Sequence, residues 1–282
     1  MRQIAMVALL AMLLAGCCPP REQTETEPAP RWYDDGAYFR QNLVKTPEAG
    51  ADSVQAKING QWQSFALQTL PEGFMKWDIA RRLETIDGFR SMPPRPPQWA
   101  GPHNGIVATW GYQREDTHFC LNNAVKGMGF LPREETIGGM MEKLRETYDA
   151  PFAEKLDVLQ WMYDNADSLF YLDRQISLEL YSTPAFETQS FLNQMTYPVS
   201  TVVFLDRISY KLKTISQLLH PADPDLTDYE RQMVDYVNLV HSYFHGEFDQ
   251  EFAAAVYYVV EVFNNTPGTP DGKGNRVMPP LP

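Results

Sequence analysis

The residues best placed to do chemistry are two histidines near the end of a predicted helix. His241 and His245 are spaced i, i+4, so both imidazoles leave the same helical face. Two imidazoles so arranged can share a metal ion, and zinc is bound by histidine nitrogen at about 2.0–2.1 Å. A complete zinc site needs more ligands, for which Glu247, Asp249 or another histidine are candidates. The alternative is that both rings lie half buried at the edge of the apolar stripe of this helix.

A second group of candidate residues mixes aromatic and polar side chains within one short stretch. Small-molecule and glycan pockets use such mixtures, because aromatic faces cover the apolar part of a ligand while polar groups orient it. The alternative is that the aromatic rings pack between two parts of the protein and the polar groups face water. The pocket candidates are Trp99, His103, Trp110, Tyr112, Arg114 and His118.

Common catalytic motifs are missing from the sequence. It has no phosphate-binding glycine loop with a lysine, no Gly-x-Ser-x-Gly, no His-Glu-x-x-His and no Cys-x-x-Cys. We therefore assign no catalytic residue from the sequence, and we expect no cofactor other than the zinc considered above.

The N-terminus has the layout of an export signal. Arg2 precedes an apolar run from Ile4 to Ala15, which is too short to span a bilayer. The run leads into Leu-Ala-Gly-Cys, ending at Cys17, which resembles the lipobox of bacterial lipoproteins. This resemblance covers residues 1–18 and implies that the Cys17 thiol receives a diacylglyceryl group, that cleavage falls between Gly16 and Cys17, and that the new amino end is acylated as well. Several buried acyl chains make a durable anchor, so the membrane is the first expected partner.

The same resemblance implies a location in the bacterial cell envelope. In enteric lipoproteins an Asp after the lipidated cysteine favours the inner membrane; here that residue is Cys18, which favours the outer membrane. With Cys17 taken by lipid, no disulfide framework follows within the folded part. The remaining cysteine, Cys120, is expected to be a buried apolar side chain.

Charge is distributed unevenly along the chain. The net charge is −12, and residues 132–264 carry 22 acidic against 9 basic residues. Binding to nucleic acid needs clustered cations, so this balance argues against a nucleic-acid partner. The acidic residues are interpreted as the solvated faces of helices.

The spacing of apolar residues predicts a mainly α fold. A small mixed α/β N-terminal part contains a hairpin at Asn59-Gly60 and a helix after Pro71, and an antiparallel α-helical bundle follows. The predicted divisions are a signal peptide (1–16), a disordered tether (17–31), the mixed region (32–131), the helical bundle (132–264) and a Pro/Gly-rich tail (265–282).

The sequence leaves two functions open. The leading hypothesis is a membrane-anchored envelope lipoprotein with a non-catalytic binding or assembly role, whose partner is an envelope protein or a small molecule. The alternative is a metal-dependent or pocket-based hydrolase that uses His241 and His245, or the residues between Trp99 and His118.

The lipobox hypothesis predicts the effect of one substitution. Cys17→Ser removes the sulfur that accepts the lipid, so we expect the protein to leave the membrane fraction without detergent. Fractionation followed by immunoblotting measures this. A variant that still needs detergent for extraction would contradict the anchor.

Overall fold

The computed structural model describes residues 31–111, 116–268 and 274–280. The helices are α1 (Glu72–Arg90), α2 (Glu134–Glu146), α3 (Phe152–Asp164), α4 (Ala166–Leu169), α5 (Gln189–Thr196) and α6 (Asp228–His245), with a short 3-10 helix at Asp34–Gly36. The strands are β1 (Trp32–Tyr33), β2 (Tyr38–Phe39), β3 (Val44–Lys45), β4 (Ser53–Ile58), β5 (Gln61–Ala66), β6 (Asn104–Trp110), β7 (Leu121–Gly127), β8 (Gly129–Pro132), β9 (Phe170–Glu179), β10 (Val199–Phe204), β11 (Tyr210–Leu219), β12 (Ala253–Asn264) and β13 (Asn275–Met278).

A large antiparallel sheet of eight strands organises the chain. Its order is β7-β6-β10-β11-β12-β9-β8, and β13 pairs with the end of β12. Helix α5 packs on one face, where Asn193 donates a hydrogen bond to Thr109 of β6. Helix α6 packs on the other face, where Gln217 of β11 donates to Glu230. Smaller sheets are formed by β3-β4-β5 and by β1-β2.

The prediction of a mainly α-helical bundle is wrong. Apolar spacing predicted helices where the structure has three long strands of the main sheet, β9, β11 and β12. The sheet also takes strands from both sides of residue 132, because β6, β7 and β8 belong to it together with the later strands. The second half of the chain therefore builds a sheet with helices on its faces.

The error has a physical cause in the burial of these strands. All residues from Ala253 to Val259 in β12 are buried, because helices or other segments cover both faces of the sheet there. A strand covered on both faces shows a continuous apolar run instead of period-two alternation. In such a run, some apolar residues lie three and four positions apart although the segment is a strand. The spacing therefore resembles that of a helix. The many valines were the better signal, since β-branched residues favour strands.

Local predictions are confirmed where an element keeps one exposed face or a specific end signal. Helix α1 begins after Pro71, and α6 begins with a capping box in which Thr227 and Glu230 bond each other's backbone. Asn59 and Gly60 both have positive φ and join β4 to β5. Within the described part of the chain, no helix is long and apolar enough to cross a membrane.

Helix α1 buries an ion pair on its inner face. Arg82 Nε donates to Asp78 Oδ1 at 2.5 Å, and both side chains are almost wholly buried. The Arg82 guanidinium also donates to the backbone carbonyls of Pro102 and Met128 and to the hydroxyl of Tyr163. One buried charge thus joins α1, the turn before β6, the link between β7 and β8, and α3.

This pair predicts a large loss of stability when one partner is removed. Asp78→Ala leaves the Arg82 guanidinium buried without a counter-charge, so the free energy of unfolding should fall by about 3–5 kcal/mol. Urea unfolding at pH 7 measures it.

The matched control is Glu72→Gln on the same helix, where Glu72 pairs with Lys76 in an exposed i, i+4 arrangement. Exposed pairs contribute little, so the unfolding midpoint should stay near that of the wild type. Equal free energies of unfolding for the Asp78 and Glu72 variants would show that the buried pair stabilises the protein no more than the exposed pair does.

Candidate ligand pocket

A pocket of about 320 Å³ lies between β7, β8 and β9 on one side and α3 and α6 on the other. The pocket meets solvent at five exposed residues of its lining, which are His103, Val125, Gly127, Tyr181 and His245. Its walls are mainly apolar and come from Met128, Phe130, Leu159, Met162, Phe170, Ile176, Leu178, Val237, Val240 and Phe244. Its polar lining consists of Arg82, His103, Lys126, Tyr163, Ser177, Glu179, Tyr181, Thr188, Ser190, Tyr236, His241 and His245.

Three histidines converge on this pocket. His241 and His245 project from the last turn of α6 with their ring centroids 4.6 Å apart, and His103 arrives from the turn before β6. His241 also stacks on Phe248, with the centroids 4.9 Å apart. The ring nitrogens of all three make no hydrogen bond to another described residue. The imidazoles therefore remain available to a ligand.

The pocket shifts the acid–base equilibria of two histidines. His103 meets solvent at the pocket mouth but has protein on its other sides, and this desolvation lowers its pKa, with smaller effects from Arg82 and the two other imidazoles. Desolvation, followed by the neighbouring His245, lowers the pKa of His241. Both rings are consequently neutral at pH 7 in the free protein.

The charged side chains of the lining are already paired. Lys126 Nζ donates to Glu179 Oε2 at 2.5 Å, and the Glu179 side chain is 1% exposed. Its other oxygen accepts from Ser182 and Thr188. Because β7 is one edge of the sheet and β9 lies near the other, this ion pair brings two separated strands together beside the pocket.

The described residues do not form a complete metal site. In ranges 31–111, 116–268 and 274–280, no three His, Cys, Asp or Glu side chains are placed to hold one ion. His241 and His245 are adjacent, as their spacing predicts, but neither Glu247 nor Asp249 lines the pocket with them. The zinc hypothesis for this pair stays a prediction that needs ligands from another source.

The stretch from Trp99 to His118 does not come together as one site. Of its candidates, His103 lines the pocket, whereas Trp99 is 90% exposed and Trp110 packs edge-on against Tyr197. His118 is exposed and is outside the pocket lining. The two remaining candidates, Tyr112 and Arg114, lie outside the described residues.

Other pocket residues escaped the sequence analysis. Arg82 carried the one usable signal, because Asp78 and Arg82 are i, i+4 on the helical face that also holds Phe74. Charged residues on an otherwise apolar face indicate a buried pair. Lys126 and Glu179 gave no such signal, since they meet only through the curvature of the sheet.

Two further residues differ from simple expectations. Cys120 is buried, as predicted, but it is disulfide-bonded rather than a plain apolar side chain. Its partner lies outside the described residues. His220 packs against Trp32 and Phe39, outside the pocket lining, and burial lowers its pKa to about 4.

Comparison with known proteins does not identify a family. No family model and no curated protein matches this chain. Among solved structures, the chain is similar to the crystal structure of HupZ from Group A Streptococcus, a tagged form, with 12% identity over 66% of this chain and 95% of that chain. The TM-score is 0.33, which is too low to support an argument about fold or function.

Proposed function

We propose that this protein is an envelope lipoprotein whose folded part binds a small molecule with an apolar body, without catalysis. The observation that carries the proposal is the pocket between β7, β8, β9, α3 and α6. Its volume of about 320 Å³ falls in the range of small-molecule sites, and its apolar walls with a few converging polar groups are typical of them.

The pocket supports binding better than hydrolysis. A hydrolase of this kind needs a nucleophile hydrogen-bonded to a base. In the described lining, the Ser177 hydroxyl donates to the carbonyl of Leu178, and the Ser190 hydroxyl accepts from Asn122. Neither hydroxyl contacts an imidazole nitrogen, so the arrangement favours a binding role.

Anchoring is the second half of the proposal and rests on the lipobox resemblance of residues 1–18. Cys120 is disulfide-bonded, and its partner lies outside the described residues. Lipidation uses the sulfur of Cys17, so under this proposal that sulfur is not free to pair with Cys120. A Cys rather than an Asp at position 18 also favours the outer membrane over the inner one.

Lipidation of Cys17 is testable by mass spectrometry of unreduced peptides from membrane-purified protein. We expect a diacylglyceryl group on Cys17 and no Cys17–Cys120 cross-link. The reason is that one sulfur cannot carry both a thioether and a disulfide. A Cys17–Cys120 cross-link would contradict the anchor, and a free Cys120 thiol would contradict the disulfide.

Binding is testable with N-phenyl-1-naphthylamine, an uncharged fluorescent apolar probe, and unlipidated chain 17–282, which contains every described element. We expect one saturable site per chain. Ala124→Phe places a larger side chain in the lining and should weaken binding by about tenfold or more, the effect of about 1.4 kcal/mol.

The matched control is Asn123→Phe, the neighbouring exposed position on β7, whose side chain points to the other face of the strand. This variant should bind the probe as the wild type does, and circular dichroism checks that both variants are folded. Absence of saturable binding, or equal binding by the two variants, would reject the pocket as a ligand site.

A further inference from the structure

Large apolar side chains surround the mouth of the pocket and are exposed to solvent. Val125 of β7 and Tyr181, which follows β9, belong to the pocket lining, yet they are 66% and 68% exposed. Phe248, which follows α6, is 43% exposed and stacks on His241 of the lining. Single exposed apolar residues are ordinary. Here three of them come from separate elements and meet at one opening, which indicates an interaction surface.

The exposed apolar surface continues along β7 to Leu121. Leu121 and Val125 are four residues apart on one strand, so their side chains leave the same face, and Leu121 is also exposed. β7 is the last strand at its side of the main sheet, so no other strand of the described chain pairs with its outer edge. We call Leu121, Val125, Tyr181 and Phe248 the mouth surface.

The chain that leads to the proposed anchor enters the folded part beside this surface. Arg31 is the first described residue, and its guanidinium donates to the carboxylate of Glu187 at 3.0 Å. Glu187 is followed by Thr188, which lines the pocket. Residues 18–30 separate Cys17 from Arg31 and can span at most about 50 Å. A lipid on Cys17 would therefore keep the mouth surface within reach of the bilayer.

The charges beside the mouth surface select the kind of bilayer. Phe248 lies between Glu247 and Asp249, both of which are exposed, and the whole chain has a net charge of −12. Lys126, the lining cation on β7, is already paired with Glu179. Anionic lipids would repel the exposed carboxylates, whereas a net-neutral lipid surface would not. Favourable contact therefore has to come from the apolar side chains.

We propose that the mouth surface contacts a bilayer of net-neutral phospholipids, so that the pocket opens at the lipid–water interface. This inference rests on the proposed function and names the partner of the same pocket. Tyrosine and phenylalanine suit this position, because an aromatic ring can enter the interface while the tyrosine hydroxyl stays in contact with water. The anchor strengthens the contact, since a tether raises the local concentration of the lipid surface.

Vesicle partitioning tests the mouth surface without the anchor. Unlipidated chain 17–282 is sedimented with phosphatidylcholine vesicles, and the bound fraction at several lipid concentrations gives the partition coefficient. The double variant Leu121→Ser with Phe248→Ser should lower this coefficient about tenfold, because two apolar side chains are lost from the contact. Adding phosphatidylglycerol should weaken binding of the wild type at low salt, and high salt should remove this weakening.

The matched control is Trp62→Ser. Trp62 on β5 is 45% exposed, close to the value for Phe248, but it lies in the separate β3-β4-β5 sheet and outside the pocket lining. This variant should partition as the wild type does. Leu121 also lies outside the lining, so Leu121→Ser should bind N-phenyl-1-naphthylamine in solution like the wild type. Circular dichroism checks that each variant is folded.

Hydrogen–deuterium exchange locates the contact in the mature lipidated protein. Protein anchored on phosphatidylcholine vesicles is compared with the unlipidated chain in solution. Peptides covering residues 119–125 and 247–252 should exchange more slowly on the vesicles, because lipid excludes water from their amides. Peptides of β5 should exchange equally in both samples.

The outcomes separate this inference from the function beneath it. Three results would overturn the lipid contact while leaving ligand binding intact: no partitioning of the wild type, equal partitioning of the double variant, or no protection of residues 119–125 and 247–252. Stronger binding to vesicles with phosphatidylglycerol would overturn the choice of a neutral surface.

Analytical ultracentrifugation tests the other occupant of the mouth surface. A dimer in solution that the double variant abolishes would assign the surface to a second copy of the chain and overturn the lipid contact. Failure of N-phenyl-1-naphthylamine to bind would overturn the proposed function and, with it, the opening of a ligand pocket at the bilayer.

Discussion

The arrangement of the pocket depends on the ion pair and the hydrogen bonds made by the buried Arg82 guanidinium. It is paired with Asp78 inside α1, and its remaining donors reach Pro102, Met128 and Tyr163. An unpaired charge in this position would be strongly unfavourable, so the four segments that satisfy it are held in one geometry. These segments position His103, form the end of β7 and contribute the α3 wall.

The sheet supplies the second constraint. Its strands run antiparallel, with helices on both faces, and its two edge regions approach each other where Lys126 of β7 meets Glu179 of β9. This approach leaves a space between the strands and α6 that apolar side chains line without filling. The same antiparallel pairing fixes the register of each strand, and therefore which residues face the pocket.

Electrostatics distinguish the pocket from the rest of the protein. The chain has a net charge of −12, whereas the described lining has paired charges and three histidines. A lipid anchor at Cys17 would hold such a pocket close to a membrane, where molecules with an apolar body and a polar head are concentrated. The proposed anchor and the proposed ligand class are thus physically consistent, although they rest on separate observations.

The sequence by itself determined the features that depend on neighbouring residues. The Thr227–Glu230 capping box, the Asn59-Gly60 turn and the adjacency of His241 and His245 all follow from short spacings, and the structure has each of them. Only the tertiary structure decided that the buried segments are strands, because a segment covered on both faces loses the periodicity that separates a strand from a helix. It also decided that His103 joins the two helical histidines, since their meeting depends on long-range pairing of the sheet and on a guanidinium buried behind them.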